Sequence, residues 1–336
     1  MRYALLVSPS TNRVYAQQSG ALARAELAAV NERALGGAIT NIAEQSLGSV
    51  PYVTFEAAQL SPLALQWLSN LAATFALFRL EGDLLAPLTL ERWDQLESDL
   101  VTIQKYPGKT NETFTKLLVN VTLAASSFGS QEHRPLSLLD PLCGRGTTLN
   151  QALTYGFHAT GVEIDKKDFE AYALFIQRYV KDKRLKHEAV QGSVKGHPKL
   201  DLTFGVDKAR YKAGDVQRLC YVSADTHAIA EVFQPRSFDL IVTDAPYGVQ
   251  HGAHVGTAPQ RKPHELLQTA IPVWRAALRP GGAIGVSWNT HVARRDALAK
   301  LLTDAGLTVC DSPEYRAFSH HVDASIERDL IVAAAP

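Results

Sequence analysis

"LLDPLCGRGTTLNQALTYG", residues 138–156, decides the fold: an apolar run enters a glycine-rich turn, and a helix-forming stretch follows. Strand, glycine turn and helix are the parts of a nucleotide-binding crevice, whose ligand lies at the carboxyl end of the strand. The turn, Asp140 to Thr148, holds a G-x-G, but Leu149 stands where the dinucleotide fingerprint needs its third glycine. Gly-Lys-Ser/Thr is missing too, so a phosphate-cradling loop is excluded. A turn that opens with a carboxylate suits a ligand carrying an ammonium group instead of a pyrophosphate. Asp140 then sits at the strand's end, and Gly144 and Gly146 let the backbone come close.

Outward from that turn, strands and helices alternate over residues 136–336. The strands read as "LSLLD", "ATGVEID", "LCYVSAD", "FDLIVTDAP", "GGAIGVSW", "TVCDSPEY" and "RDLIVAAA". Such alternation predicts an α/β fold with a doubly wound, seven-stranded, Rossmann-like sheet, parallel in the main. "LDLTFGV" alternates inside a connection too long to be plain, which predicts a β-hairpin insertion at about 192–218. Residues 1–95 read as a small N-terminal α+β domain: strand "RYALLVSP", helix "SGALARAELAAVN", strand "YVTFEAA", then a helix started by Ser61-Pro62 that runs into a third strand. Residues 96–135 read as connecting helices. One, in "APLTLERWDQLESDLVTIQKYPGK", stops before Pro107-Gly108, and the next, "TNETFTKLLVNVTLAASSF", precedes the glycine turn.

Two further strand ends fit the same ligand. "GVEID" puts Glu163 at the end of the second strand, about twenty residues past the glycines, where a carboxylate accepts both hydroxyls of a ribose. "SAD" puts Asp225 at the end of the third, within reach of an adenine amino group. Carboxylates on three consecutive strand ends, with no phosphate-binding device, describe S-adenosylmethionine. Leu142, Cys143 and Thr147 of the turn, and Ile164 beside Glu163, complete the candidate cofactor residues.

Composition bounds the rest. The 336 residues carry 34 basic and 34 acidic side chains, so net charge alone points to no polyanion. Its distribution is uneven: residues 1–104 contain no lysine, whereas 178–212 holds ten basic residues against four acidic ones. That segment suits either a phosphate backbone or a solvated helix face and hairpin. Cys143, Cys220 and Cys310 lie far apart without C-x-x-C spacing, which argues against a zinc site or a disulfide framework. No apolar run is long enough to span a membrane, and the N-terminal run is too short for a signal peptide, so a cytoplasmic protein is expected.

The fourth strand names the chemistry. It ends in Asp244-Ala245-Pro246-Tyr247-Gly248, which resembles the Asn/Asp-Pro-Pro-Tyr/Phe motif of amino-methyltransferases. In that motif the acid (Asp244) and the next backbone carbonyl (Ala245) accept the two protons of a flat exocyclic amine, so its lone pair points at the methyl sulfonium. Pro246 stiffens the turn, and Tyr247 offers a ring on which a base stacks. The departure is Ala245 in place of the first proline; a main-chain carbonyl is still supplied.

"DPLCGRGTTLNQAL", "GVEID", "TDAPYGVQHG" and "SIERDLIVA" resemble the tRNA guanosine N2-methyltransferases of the THUMP-associated type, over about 101–336. "YPGKTNETFTKLLVNV" resembles the helix that these enzymes carry beside the methionine end of the cofactor, which implies Lys109, Thr110 and Phe114 as cofactor neighbours. The N-terminal unit resembles the ferredoxin-like domain that precedes THUMP in that family. THUMP itself has no room here between residue 95 and the methyltransferase sheet. The resemblance implies an RNA partner, tRNA above all. The basic segment 178–212 is its expected surface, aided by the loop 249–264 with His251, His254, Arg261, Lys262 and His264. Those histidines read as loop residues and no metal is expected. "FSHHVDASIERD" (His320, His321, Asp323, Ser325, Arg328) lies near the target pocket in that family; the residues alone read as a hairpin turn with solvent-facing polar groups. Three alternatives stay open: a DNA adenine-N6 or cytosine-N4 methyltransferase, an amine methyltransferase of a small molecule or peptide, and a binding module that has lost catalysis.

Overall fold

The computed structural model describes residues 1–9, 13–246 and 263–336. The first sheet is built from β1 (Arg2–Val7), β2 (Thr40–Leu47), β3 (Val50–Glu56), β4 (Thr74–Glu81) and β5 (Leu84–Leu88), with α1 (Arg13–Arg33) after β1 and α2 (Pro62–Asn70) after β3. All its pairs are antiparallel, in the order β2-β3-β1-β4-β5. This is the ferredoxin-like βαββαβ order with one strand added. Ser61 starts α2 by accepting from the Ala64 N–H at 3.1 Å, with Pro62 at the first helical position.

Residues 86–109, expected as a helix, contain β5, an irregular stretch and only a short α3 (Asp99–Thr102). Pro87 is tolerated because β5 is an edge strand, and its pairing with β4 offers these backbone groups more partners than an isolated helix would. α4 (Glu112–Ala125) follows, capped by Asn111, whose side chain accepts from the Phe114 N–H at 3.0 Å. It is buried almost all round, because α1 covers one side and the second sheet the other. Phe114, Leu117, Leu118, Val119 and Val121 are all at or below 2% exposure, and each such side chain contributes about 1.5–3 kcal/mol of burial.

The second sheet contains β6 (Ser137–Asp140), β7 (His158–Glu163), β8 (Lys186–Val194), β9 (His197–Gly205), β10 (Gln217–Ser223), β11 (Phe238–Asp244), β12 (Leu278–Asn289), β13 (Thr308–Cys310), β14 (His320–Asp323) and β15 (Ile326–Ala334). Its helices are α5 (Thr147–Thr154), α6 (Lys166–Asp182), α7 (Lys208–Lys212), α8 (Ile229–Val232), α9 (Pro263–Ala277) and α10 (Arg295–Asp304). The order is β13-β15-β12-β11-β6-β7-β10-β9-β8, with β14 paired to β15. The seven strands read from the sequence are the seven from β13 to β10, and β15 alone runs antiparallel among them. This is the class I methyltransferase sheet. The chain leaves β6 first towards β7 and β10, then returns to β11 on its other side, so the topological switch lies between β6 and β11.

The inserted hairpin is β8–β9, 186–205, which starts before the expected 192; β9 pairs β10 and β8 forms the new edge. No helix among the described residues is long and apolar enough to cross a membrane.

The two sheets share one apolar cluster, which runs from Tyr3 and Leu27 through α4 to Leu138 and Tyr221. A buried polar network crosses it. Glu26 accepts from the Ala72 N–H at 2.9 Å and from Asn120 Nδ2 at 2.7 Å, while Asn120 Oδ1 accepts from the Tyr155 hydroxyl at 2.8 Å. Burial pushes the Glu26 carboxyl up to about 7 despite those donors.

Candidate active site

At the switch point a cavity of about 280 Å³ opens between three walls. One is the loop Tyr106, Pro107, Gly108 and Thr110 ahead of α4; the second is the glycine turn from Asp140 to Thr148; the third is Asp244, Ala245 and Pro246 after β11.

The turn is held from several directions. Gly146 has φ +77°, and a β-carbon there would lie 2.4 Å from the Tyr172 ring, so both conformation and space demand glycine. The Gly146 N–H closes on the Cys143 carbonyl at 2.8 Å, and the Cys143 N–H on Val162 of β7 at 3.1 Å. Tyr221 donates its hydroxyl to the Gly144 carbonyl at 2.8 Å. Burial pushes the Cys143 thiol well up, so it is an inert packing group. Thr147 shares a 3.0 Å hydrogen bond with the Tyr106 hydroxyl, across the cavity mouth.

Asp140 is 2% exposed at the end of β6 and accepts from the Leu142 N–H at 3.1 Å. Burial raises its carboxyl to about 7; the Thr243 and Thr148 hydroxyls and the Leu142 N–H offset part of this, and the Asp244 charge adds to it. Among the described residues no Lys, Arg or His forms an ion pair with it. A buried carboxylate that lines a cavity without a cation of its own fits a ligand that brings an ammonium group.

Glu163 accepts from the Gly144 N–H and the Asp165 N–H, both at 2.7 Å, tying the turn to β7; burial raises its pKa. Ile164 beside it is 69% exposed, an apolar surface at the strand end where a flat ring could lie. Asp225 follows β10 and caps the next turn: its carboxylate accepts from the His227 N–H at 2.9 Å and contacts His227 Nδ1 at 2.5 Å. Glu163, Ile164 and Asp225 lie outside the 280 Å³ cavity, further along the strand ends.

Asp244 is the meeting point of four elements. Its Oδ2 accepts from the Thr110 hydroxyl at 2.6 Å, and its Oδ1 accepts from Ser287 of β12. Arg328 of β15 brings Nη2 to 3.9 Å from Oδ2. Ala245 is 2% exposed, with its N–H on the Ser287 carbonyl at 2.9 Å, so the backbone after Asp244 is fixed by the neighbouring strand. Tyr247 lies outside the described residues, as do Gly248 and the loop up to residue 262, with His251, His254, Arg261 and Lys262.

Of the three residues before and in α4, Thr110 reaches the cavity. Lys109 turns its ammonium to the Val101 and Gln104 carbonyls, at 2.7 and 2.9 Å, and to Glu112 at 2.5 Å, which fixes the loop. Phe114 is fully buried, beneath the Arg328 guanidinium at 4.7 Å. His320 and Arg328 are 4% and 5% exposed, so the hairpin β14–β15 does not place all its polar groups in solvent; His321, Asp323 and Ser325 are the exposed ones. Burial lowers the His320 pKa, which keeps that ring neutral beside Phe114.

Sequence reasoning missed Tyr106, Arg145 and Asp168 on the cavity wall, and Ser287 beside Asp244; Arg328, named with the segment that the resemblance puts near the target pocket, lies 3.9 Å from Asp244. Arg145 pairs with Asp168 at 2.7 Å and lies 5.1 Å over the Tyr106 ring.

The family model UPF0020, described as the RMKL-like methyltransferase domain, matches residues 107–275, just over half of the chain. No curated protein matches. Among solved structures, the Burkholderia thailandensis 1,6-didemethyltoxoflavin-N1-methyltransferase, with 1,6-didemethyltoxoflavin and S-adenosylhomocysteine bound, is 17% identical with a TM-score of 0.37; the match covers 67% of this chain and 79% of that one. TrmN from Thermus thermophilus is 15% identical with a TM-score of 0.39, covering 75% of this chain and 56% of that one.

Proposed function

The chain belongs to the RMKL-like methyltransferase domain family, UPF0020, and we propose that within it this enzyme methylates the exocyclic N2 amine of guanosine in RNA, tRNA above all. It is an S-adenosylmethionine-dependent methyltransferase. The observation that carries the finer reading is the placement of Asp244 and Ala245 on the wall of the cavity that Asp140 and the glycine turn also line.

The cofactor, when bound, supplies a methyl group on a sulfonium sulfur. The protein's part is alignment. Asp140 receives the cofactor's ammonium, Glu163 its ribose hydroxyls and Asp225 its adenine amine. The Asp244 carboxylate and the Ala245 carbonyl accept the two protons of the target amine, which directs the nitrogen lone pair into the cavity. No strong base is required there, because the extra proton leaves after the transfer. Holding amine and methyl at a near-attack distance of about 3–3.5 Å supplies most of the acceleration. Tyr247 would stack the base.

The RNA reading is supported by the family resemblance of the motifs and by the basic segment 178–212. Lys181, Arg184, Lys186, Lys195, Lys208 and Lys212 are exposed on the end of α6, the hairpin and α7, whereas Lys183, Lys199 and Arg210 are spent on ion pairs with neighbouring acids. A cytoplasmic setting suits three cysteines that form no disulfide.

The test is incubation of the purified protein with methyl-labelled S-adenosylmethionine and, separately, total tRNA, genomic DNA and a small-molecule extract. Label in tRNA that digests to N2-methylguanosine is the expected result. Label in DNA, or in the small-molecule fraction alone, would overturn the substrate and leave the chemistry.

A further inference from the structure

Arg328 is a cation at 5% exposure in β15, set between Glu327 and Asp329, the latter paired with Arg295, and followed by an apolar run in which Leu330, Ile331, Val332 and Ala333 are all at 0% exposure. Burying a guanidinium costs several kcal/mol unless something nearby needs it. Two things do. Its flat face lies 4.7 Å from the centre of the Phe114 ring, and Nη2 lies 3.9 Å from the Asp244 carboxylate. Arg328 is not among the described residues that line the cavity, whereas Asp244 is.

We propose that Arg328 is a positioning residue, which with Thr110 and Ser287 fixes the Asp244 carboxylate in one orientation against the cavity. This rests on the reading of Asp244 as the acceptor of the target amine. The three supports divide the work. The Thr110 and Ser287 hydroxyls take one oxygen each and set the carboxylate plane. Asp140 lies close enough to Asp244 for their charges to oppose each other, and two buried carboxylates cannot both stay ionised cheaply. Arg328 brings its positive charge to within 3.9 Å of Asp244, whereas Asp140 forms no ion pair with a Lys, Arg or His among the described residues. Phe114 holds the guanidinium in place by stacking, which explains a fully buried phenylalanine so close to the site.

The experiment compares Arg328→Met, Arg328→Lys and Asp244→Ala with the wild type, using the full chain and the RNA that accepts label. Arg328→Met should lower kcat by about a hundredfold, the scale of a misaligned reacting group, with KM for RNA and Kd for S-adenosylhomocysteine within about threefold. Arg328→Lys, which keeps the charge, should recover about tenfold of that loss. If Arg328→Met melts out, Arg328→Gln, a neutral planar donor of shorter reach, is read by the same criteria. The proposal falls if the neutral variant keeps a kcat within about threefold of wild type, if the loss of kcat comes with an equal loss of cofactor affinity, or if lysine rescues nothing. Asp244→Ala separates the two levels: an inactive Asp244→Ala with an active Arg328→Met removes only this inference, whereas an active Asp244→Ala removes the reading beneath it.

Discussion

Asp140 and Asp244 end neighbouring strands and face the same cavity, yet their surroundings differ. Asp140 is buried among hydroxyls and one N–H, with no cation paired to it among the described residues, and its carboxyl is pushed up to about 7. Asp244 accepts from two hydroxyls and has a guanidinium 3.9 Å away. The first acid has its charge left unbalanced, which is the electrostatic condition for receiving a positively charged ligand. The second has its charge balanced in advance, which suits a neutral amine that must be oriented without being protonated. On the proposed reading, the same residue type serves two tasks according to its surroundings.

The comparison breaks most severely at Asp244. Asp244→Ala should lower turnover by at least about a hundredfold while S-adenosylhomocysteine still binds, as isothermal titration calorimetry would show. A variant that kept more than about a tenth of the wild-type rate would remove Asp244 from the reaction.

Asp140→Asn should show the opposite split. Losing a charge-assisted contact costs about 2 kcal/mol, roughly thirtyfold in cofactor Kd, with kcat little changed at saturating cofactor. A pH series sharpens this. The free carboxyl titrates at about 7 and a bound ammonium lowers it, so the cofactor prefers the ionised form. Affinity should fall by up to about tenfold per unit as pH drops below about 7, and Asp140→Asn should lose that acid slope; a fall at higher pH belongs to the ligand's own amine. A slope that survives in the variant would assign the titration elsewhere.

The smallest effect belongs to Thr110→Val, which removes one of two hydroxyl donors from Asp244. A loss of roughly fivefold in kcat with unchanged cofactor Kd is expected from single-turnover kinetics. A loss of cofactor affinity instead would place Thr110 with Asp140.

How much of this could be read from the sequence depended on whether the signal was local. The glycine turn, Glu163 and the Asp244-Ala245-Pro246 turn are each contiguous, and the seven strands β6, β7, β10, β11, β12, β13 and β15 carry apolar runs because the sheet is covered by helices. β2 and most of β8 are exposed on both faces, so no alternation marks them. β5 contains Pro87 and takes its pairing from β4, which local propensity does not reveal. Ser287 reaches Asp244 only because β12 lies beside β11 in register, and Arg328 only because β15 lies beside β12. Strand order, which no local pattern prints, carried the rest of the site.

α4 has almost no side open to solvent, and its amino end carries Thr110. A helix gripped by both sheets transmits whatever disturbs either. The network of Glu26, Asn120 and Tyr155 lies far along the chain from Asp244, yet it fastens the helix that aims a hydroxyl at that acid. Through Glu26 and Asn120, the first sheet's helix α1 is thus tied by hydrogen bonds to the same helix whose amino end carries the Thr110 hydroxyl on Asp244.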